Sequence, residues 1–107
     1  MADQFFSHAR TALRHGLELV NLREGSCVLV PDFICESVLQ PLSELNVSVV
    51  FYKTNKHLQA EQSLLEKQIL GENAKAVIMV HYFGQPQDIT FFLALRKKYN
   101  LILIEDN

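Results

Sequence analysis

A run of aliphatic residues near the end of the sequence places the strongest constraint on the fold. The residues from Leu101 to Ile104 are all aliphatic, follow a segment with helical periodicity, and lead directly into Glu105 and Asp106. A continuous aliphatic run in this setting predicts a strand of a parallel sheet that is buried on both faces. Because ligands of open α/β sheets bind beyond the carboxyl ends of such strands, Asp106 is predicted to lie where a ligand would sit.

The rest of the sequence alternates between helical and strand-like hydrophobic patterns. Ser7 and Asp88 are suited to cap the starts of two helices, and Gly71 is suited to follow the end of another. Pro41 falls inside a predicted helix, where proline produces a kink. Strands that alternate with helices predict an α/β fold, a mostly parallel sheet with helices on both faces in three α/β/α layers. The predicted helices cover 7–22, 35–45, 58–70 and 88–99, and the predicted strands cover 27–30, 47–52, 75–81 and 101–106.

The composition indicates a globular chain without a polyanionic or membrane partner. The 107 residues are 49% hydrophobic and carry a formal net charge of -2, which fits one domain with no internal boundary. No basic patch recommends a nucleic acid, and no stretch approaches the roughly 18 apolar residues of a membrane span. Cys27 and Cys35 form neither a disulfide framework nor a zinc-ligand spacing. No metal site is therefore predicted, and a reducing, cytoplasmic setting is expected.

Three segments are candidates for ligand binding at the edge of the predicted sheet. The start of the first helix, from Ser7 to Thr11, could bind an anion through backbone N–H groups, although an ordinary capped helix start accounts for the same residues. His81 opens a segment with aromatic residues after the third strand, which suits ring stacking or a packed histidine beside a Gly-Pro turn. The Asp106 carboxylate could pair with a cationic ring nitrogen or a metal, or with a neighbouring helix N-terminus.

Four segments stand out when the chain is read in order: Ala9–Leu13, Val30–Cys35, Val80–Asp88 and Ile104–Asp106. Together they resemble the pyridoxal-phosphate-dependent sugar aminotransferases of the DegT/StrS type, which have the aspartate aminotransferase fold (fold type I). The H-Y-x-G-x-P-x-D and I-E-D patterns contribute most to this resemblance. It runs through nearly the whole chain and implies that residues 1–107 are the incomplete N-terminal portion of a large, cofactor-binding domain.

The resemblance assigns roles to individual residues. Arg10 and Thr11 match the segment that holds the cofactor phosphate at the start of the first helix. Asp106 matches the aspartate that pairs with the pyridine nitrogen and is the implied catalytic residue. Cys35 falls near the position of a side chain that lies against the cofactor ring, and His81 would line the pocket. The implied cofactor is pyridoxal 5'-phosphate.

The implied activity is transfer of nitrogen from an amino donor to a nucleotide-linked keto sugar, usually by a homodimer. Ala9 stands where the family commonly has glycine, Cys35 is small for a stacking residue, and no lysine of this sequence matches the Schiff-base lysine. The chain alone is therefore expected not to transaminate. No helix follows strand 101–106 to cover it, so a larger protein is expected. Two alternatives stay open: a relative with dehydratase chemistry, and a small non-enzymatic α/β binding or interaction domain.

Overall fold

Strands and helices alternate through the part of the chain that the computed structural model describes, which is residues 22, 24–34, 36–80 and 87–106, without the side chains of 36–38 and 106. The predicted helix over 7–22 lies outside these residues except for Leu22. The elements are β1 (Cys27–Pro31), α1 (Glu36–Glu44), β2 (Ser48–Tyr52), α2 (Gln62–Glu72), β3 (Ala76–Val80), α3 (Ile89–Tyr99) and β4 (Ile102–Asp106).

The four described strands form one parallel sheet in the order β2-β1-β3-β4. The chain moves from β1 outward to β2, crosses back over β1 to β3, and continues in the same direction to β4. Right-handed crossovers place the helix of the outward step and the helices of the return steps on opposite faces. Accordingly, α1 packs on one face, whereas α2 and α3 pack on the other. The predicted α/β class, parallel sheet and two covered faces are confirmed.

Alternating residues of the central strands serve two separate hydrophobic clusters. Leu29 belongs to the cluster under α2 and α3, where Leu65 and Phe92 are buried. Val28 belongs to the opposite cluster under α1, together with the buried Leu42. Because successive side chains of a strand point to opposite faces, a sheet covered on both sides requires apolar residues at consecutive positions. This explains why the central strands are continuous aliphatic runs.

The boundaries of α2 differ from the prediction. The sequence pattern predicts a helix over 58–70 with Gly71 just beyond its end, whereas α2 covers Gln62–Glu72 and contains Gly71. Leu58 lies in the preceding loop with a φ of 60°. Its spacing from Leu65 and Ile69 fits a helical stripe, and this coincidence extended the predicted helix backward by one turn.

Each described helix is followed within two residues by an asparagine in the left-handed conformation. The φ values are 58° at Asn46, 51° at Asn73 and 54° at Asn100. After α2, the N–H of Ala74 donates to the carbonyl of Ile69 at 3.1 Å, which is the 6→1 hydrogen bond of a Schellman motif. Asparagine tolerates this backbone conformation better than other non-glycine residues, so it takes the place that the prediction gave to Gly71.

The predicted cap at Asp88 and the predicted location of Pro41 inside a helix are confirmed. Asp88 precedes α3, and its Oδ1 accepts the N–H of Phe91 at 3.2 Å, which is a side-chain N-cap. Pro41 lies inside α1. Within the described residues, no helix has the length and apolar character needed to cross a membrane.

Candidate functional site

The hydrogen-bonded pairing of the two central strands stops before the carboxyl edge of the sheet. β1 pairs with β2 as far as Pro31 with Tyr52, and β3 pairs with β4 over the full length of both strands. In contrast, the pairing of β1 with β3 ends at Leu29 with Val77. The strand order reverses at this same position, which is where open α/β sheets bind their ligands. We call the carboxyl-terminal parts of β1 (residues 30–31) and β3 (residues 78–80), which do not pair with each other, the switch-point gap.

A proline explains why the ladder between β1 and β3 stops. In this parallel register, the next backbone donor for the carbonyl of Ile78 would be the amide of residue 31. That residue is Pro31, which has no N–H. The buried hydroxyl of Tyr52 instead reaches across from β2 and donates to the Ile78 carbonyl at 2.8 Å. A side chain of β2 therefore supplies the hydrogen bond that the backbone of β1 lacks.

Asp32 joins the connections that follow β1 and β2. Its N–H continues the strand pairing by donating to the carbonyl of Tyr52 at 2.9 Å. Its carboxylate Oδ1 accepts the N–H of Thr54 at 3.2 Å and the hydroxyl of Thr54 at 2.5 Å. Hydrogen bonds to a charged acceptor are stronger than neutral ones, so the first residues beyond these two strands are held together at the carboxyl edge.

Gln87 joins the connection after β2 to the start of α3. Its side chain is buried, the Oε1 atom accepts the N–H of Ala60 at 3.2 Å, and the Nε2 atom donates to the carbonyl of Leu58 at 2.6 Å. A bulky residue with positive φ, such as Leu58, is strained by roughly 1–2 kcal/mol. The amide of Gln87 therefore satisfies its own buried polar atoms and holds this turn in its unusual conformation.

A polar cavity of about 350 Å³ lies where α2 and α3 begin. Asp88 contributes a carboxylate, but Phe91 donates to one of its oxygens and Gln62 donates to the other at 3.3 Å. Asn55 Oδ1 likewise accepts the N–H groups of His57 and Gln59. These polar groups bond to other parts of the protein, so we assign no ligand to this cavity.

The described ionisable groups with shifted titration lie away from the switch-point gap. Burial, followed by the negative charge of Glu72, raises the pKa of the Cys27 thiol. Cys27 lies at the amino end of β1, and a raised pKa makes the nucleophilic thiolate scarce. Among the side chains that the structure describes, no group of three or more His, Cys, Asp or Glu residues could hold a metal ion.

Asp106 is the predicted site residue whose backbone the structure describes. It is the last residue of β4, and it pairs with Val80 at the end of β3, so its backbone lies at the carboxyl edge beside a strand that borders the switch-point gap. Its side chain lies outside the described part of the chain. The other predicted site residues also lie outside it, and their roles stay predictions: Arg10, Thr11, Cys35 and His81.

Sequence reasoning missed Tyr52 and Gln87. Pro31 was a usable signal for the first, because a proline that ends a buried strand leaves an acceptor on the neighbouring strand without its donor. Finding that Tyr52 supplies the donor requires the strand order and register, which no local pattern contains. Gln87 lies directly before a helix N-cap, and its partners are 27 and 29 residues away.

Comparisons with known proteins agree with this architecture. The sequence model of the DegT/DnrJ/EryC1/StrS aminotransferase family matches residues 6–107. GDP-perosamine synthase of Escherichia coli O157:H7 is 29% identical over 101 residues, which are 94% of this chain and 28% of that protein. The chain thus spans little more than a quarter of the length of this relative.

Solved structures share the fold. DesV of S. venezuelae, in complex with a ketimine intermediate, superposes with a TM-score of 0.82 and 24% identity, covering 92% of this chain and 26% of DesV. A GDP-4-keto-6-deoxymannose-3-dehydratase with a trapped PLP-glutamate geminal diamine gives a TM-score of 0.81 and 22% identity, covering 95% of this chain and 27% of that chain. At these identities the likeness shows the fold alone.

Proposed function

Because the chain belongs to the DegT/DnrJ/EryC1/StrS aminotransferase family, we propose that it forms the first part of the large domain of a pyridoxal-phosphate-dependent aminotransferase. The proposed reaction moves an amino group from an amino donor to a keto sugar attached to a nucleotide. Support for this substrate class comes from the relative named GDP-perosamine synthase. The chain covers 28% of that relative, so the activity is proposed for the protein as a whole.

The position of Asp106 carries the proposal. Its backbone ends β4 beside β3, and β3 borders the switch-point gap, where a ligand would meet the ends of these strands. A carboxylate at this edge fits a cofactor with a cationic ring nitrogen, because each charge favours the ionised form of the other group. When bound, pyridoxal phosphate supplies an electron sink for the pair released from the substrate Cα–H bond.

The proposed roles of the other site residues follow the family resemblance. Arg10 and Thr11 would hold the phosphate at the start of the first helix, where backbone N–H groups and the helix dipole favour an anion. Cys35 and His81 would flank the ring, and Asp106 would hold a proton on the ring nitrogen. The family match spans all five positions.

We propose that the whole protein works as a homodimer in the cytoplasm. The homodimer is proposed from the family resemblance, in which active sites lie at the subunit interface. Two cysteines without a disulfide pattern support a reducing compartment.

The test uses the protein expressed from its complete reading frame and mixed with pyridoxal phosphate. We expect visible absorbance from lysine-bound cofactor, and we expect borohydride to fix the cofactor to that lysine. Asp106→Ala should abolish turnover with an amino donor and a nucleotide-linked keto sugar, whereas Glu105→Gln should retain it, since Glu105 is exposed and its side chain points to the opposite face of the strand.

Absence of both the visible band and a reduced lysine would overturn the proposed cofactor chemistry. A small, monodisperse protein that unfolds cooperatively and binds no cofactor would instead favour a non-enzymatic domain.

Sugar dehydration is the second candidate reaction, because this fold also serves dehydratase chemistry, as in the GDP-4-keto-6-deoxymannose-3-dehydratase whose structure shares it. The residue that occupies the Schiff-base position distinguishes the two, because transamination requires a lysine there. Product analysis gives the same answer independently: an amino sugar supports transamination, and a deoxy sugar without incorporated nitrogen supports dehydration.

A further inference from the structure

Pro31, Tyr52 and Ile78 form an arrangement at the switch-point gap to which the proposed function assigns no role. The side chains of Pro31 and Tyr52 are both fully buried. The Tyr52 hydroxyl donates to the Ile78 carbonyl over a sequence separation of 26 residues. Tyr52 belongs to β2, so its side chain passes β1 to reach a carbonyl of β3.

A backbone hydrogen bond would satisfy the Ile78 carbonyl more simply. Any residue other than proline at position 31 would offer an N–H to this carbonyl in the observed register. That bond would extend the ladder and tie the end of β1 directly to β3. Pro31 prevents this extension, and Tyr52 removes the penalty for a buried acceptor that would otherwise lack a donor.

We propose that Tyr52 is a positioning residue for the site at the switch-point gap. Together with Pro31, it keeps the carboxyl ends of β1 and β3 from pairing while leaving the Ile78 carbonyl satisfied. This inference rests on the proposed function, since the group that would occupy the site is pyridoxal phosphate. Tyr52 acts through the strand ends and does not itself touch the cofactor.

A double-mutant cycle separates positioning from simple stabilisation. Tyr52→Phe removes the hydroxyl, Pro31→Ala restores a backbone N–H, and the double variant combines both changes in the protein expressed from its complete reading frame. Tyr99→Phe is the matched control, because it removes a tyrosine hydroxyl that bonds to Glu66 on the outer surface of the helix layer. Each protein is measured for urea unfolding, for pyridoxal phosphate affinity, and for the circular dichroism of the bound cofactor.

Tyr52→Phe should lower the folding equilibrium constant roughly ten-fold, since it leaves a buried carbonyl without a donor. In the Pro31→Ala background the same change should cost clearly less, because the amide of residue 31 now serves that carbonyl. Slow hydrogen exchange of this new amide should report the extended ladder directly. Cofactor affinity should not recover together with stability. The double variant should be more stable than Tyr52→Phe, yet it should bind pyridoxal phosphate roughly ten-fold more weakly than wild type. The circular dichroism of its bound cofactor should also differ from that of wild type.

The possible results lead to different conclusions. If the double variant binds cofactor as wild type and Tyr99→Phe do, the positioning role is wrong and the proposed function stands. If Tyr52→Phe costs the same stability in both backgrounds and the residue-31 amide shows no protection from hydrogen exchange, then that amide does not replace the Tyr52 hydroxyl as the donor to Ile78, and the inference is wrong. If wild type itself binds no pyridoxal phosphate, the proposed function fails and the positioning role fails with it.

Discussion

Helices α2 and α3 occupy equivalent places in the fold but begin in different ways. Both contain 11 residues, both pack on the same face of the sheet, and both end at an asparagine in the left-handed conformation. Asp88 caps α3 with its own side chain, whereas Glu61 at the start of α2 makes no side-chain cap. One helix start is therefore specified by a local signal, and the other depends on the fold around it.

The surroundings of Glu61 show how the fold replaces the missing cap. The N–H of Glu61 donates to the carbonyl of Lys53 at 2.9 Å, and Thr54 forms an antiparallel bridge with Ala60. Gln87 then holds the loop from the other side through Ala60 and Leu58. The start of α2 is thus fixed by a folded-back loop, while the start of α3 needs one aspartate.

The largest expected effects come from the buried residues by which each helix contacts the sheet. Phe92 of α3 and Leu65 of α2 are both buried, and Phe92 also meets the ring of Phe91 edge-on with a centroid distance of 5.4 Å. Phe92→Ala should cost about 3–5 kcal/mol of unfolding free energy, and Leu65→Ala about 2–5 kcal/mol. Urea unfolding measures both.

Leu93→Ala is the control, because Leu93 lies on the exposed side of α3, and it should change stability by less than about 0.5 kcal/mol. A loss at Leu65 as small as that at Leu93 would mean that α2 is not anchored as the structure describes.

The helix starts should respond differently to the same substitution. Asp88→Ala should cost about 1 kcal/mol, because it removes a side-chain acceptor from the first turn. Glu61→Ala should be nearly neutral, since Glu61 makes no cap to lose. Glu61→Asp, which shortens the side chain to a good capping length, should stabilise the protein by about 0.5–1 kcal/mol. Equal losses at Asp88 and Glu61 in urea unfolding would contradict the comparison.

The same contrast explains which helix could be predicted from the sequence. α3 was predicted over 88–99 with Asp88 as its cap, because the signals for its start and its core face are local. α2 was predicted over 58–70, since Leu58 fits the apolar spacing and Gly71 resembles an end signal. The observed end signal is Asn73, followed by the buried Ala74. An asparagine followed by an apolar residue also ends α3, so the sequence carries the same end signal after both helices.

The candidate site likewise has features that local sequence signals predict and features that depend on the tertiary fold. Asp106 could be placed at the carboxyl edge because it follows a continuous aliphatic run, and its backbone lies there. The bonds of Tyr52 to Ile78 and of Gln87 to Ala60 could not be predicted, because they depend on strand order, on register and on the gap that Pro31 leaves. Local hydrophobic periodicity carries no information about which residues far apart in sequence become hydrogen-bonded partners.

A glycine inside α2 gives a smaller expected effect. Gly71 lies in the last turn of α2, and a Cβ atom built on it would meet no atom within 4 Å. Gly71→Ala should therefore stabilise the protein by about 0.5–1 kcal/mol, since alanine loses less backbone freedom on folding and fits the open space. Thermal or urea unfolding measures the gain. A loss of stability would mean that the backbone at this position is not helical, which would return the helix end to the place that the sequence pattern indicated.

The smallest effects are expected where the exposed surfaces of α2 and α3 meet. Glu66 of α2 accepts the hydroxyl of Tyr99 at 2.8 Å and the ammonium of Lys98 at 3.2 Å. The hydrogen bond from Tyr99, followed by that from Lys98, lowers the pKa of Glu66. The hydrogen bond to Glu66, followed by that involving Tyr99, raises the pKa of Lys98.

These two shifts act at opposite ends of the pH range. The contribution of Glu66 to stability is present above the pKa it has when unfolded and is lost as the pH falls through its lowered folded value. The contribution of Lys98 is present below its unfolded pKa and is lost as the pH rises through its raised folded value. Because both side chains are exposed, each contribution should be small and should weaken with salt.

Titration of Glu66 by NMR ranks the two partners. Tyr99→Phe should raise the pKa of Glu66 toward its ordinary value more than Lys98→Met does, because the tyrosine hydroxyl has the larger influence. A larger change in Lys98→Met would mean that charge, and not the tyrosine hydrogen bond, couples the surfaces of α2 and α3. The two helices would then be joined mainly by their buried residues, since a screened surface pair contributes little.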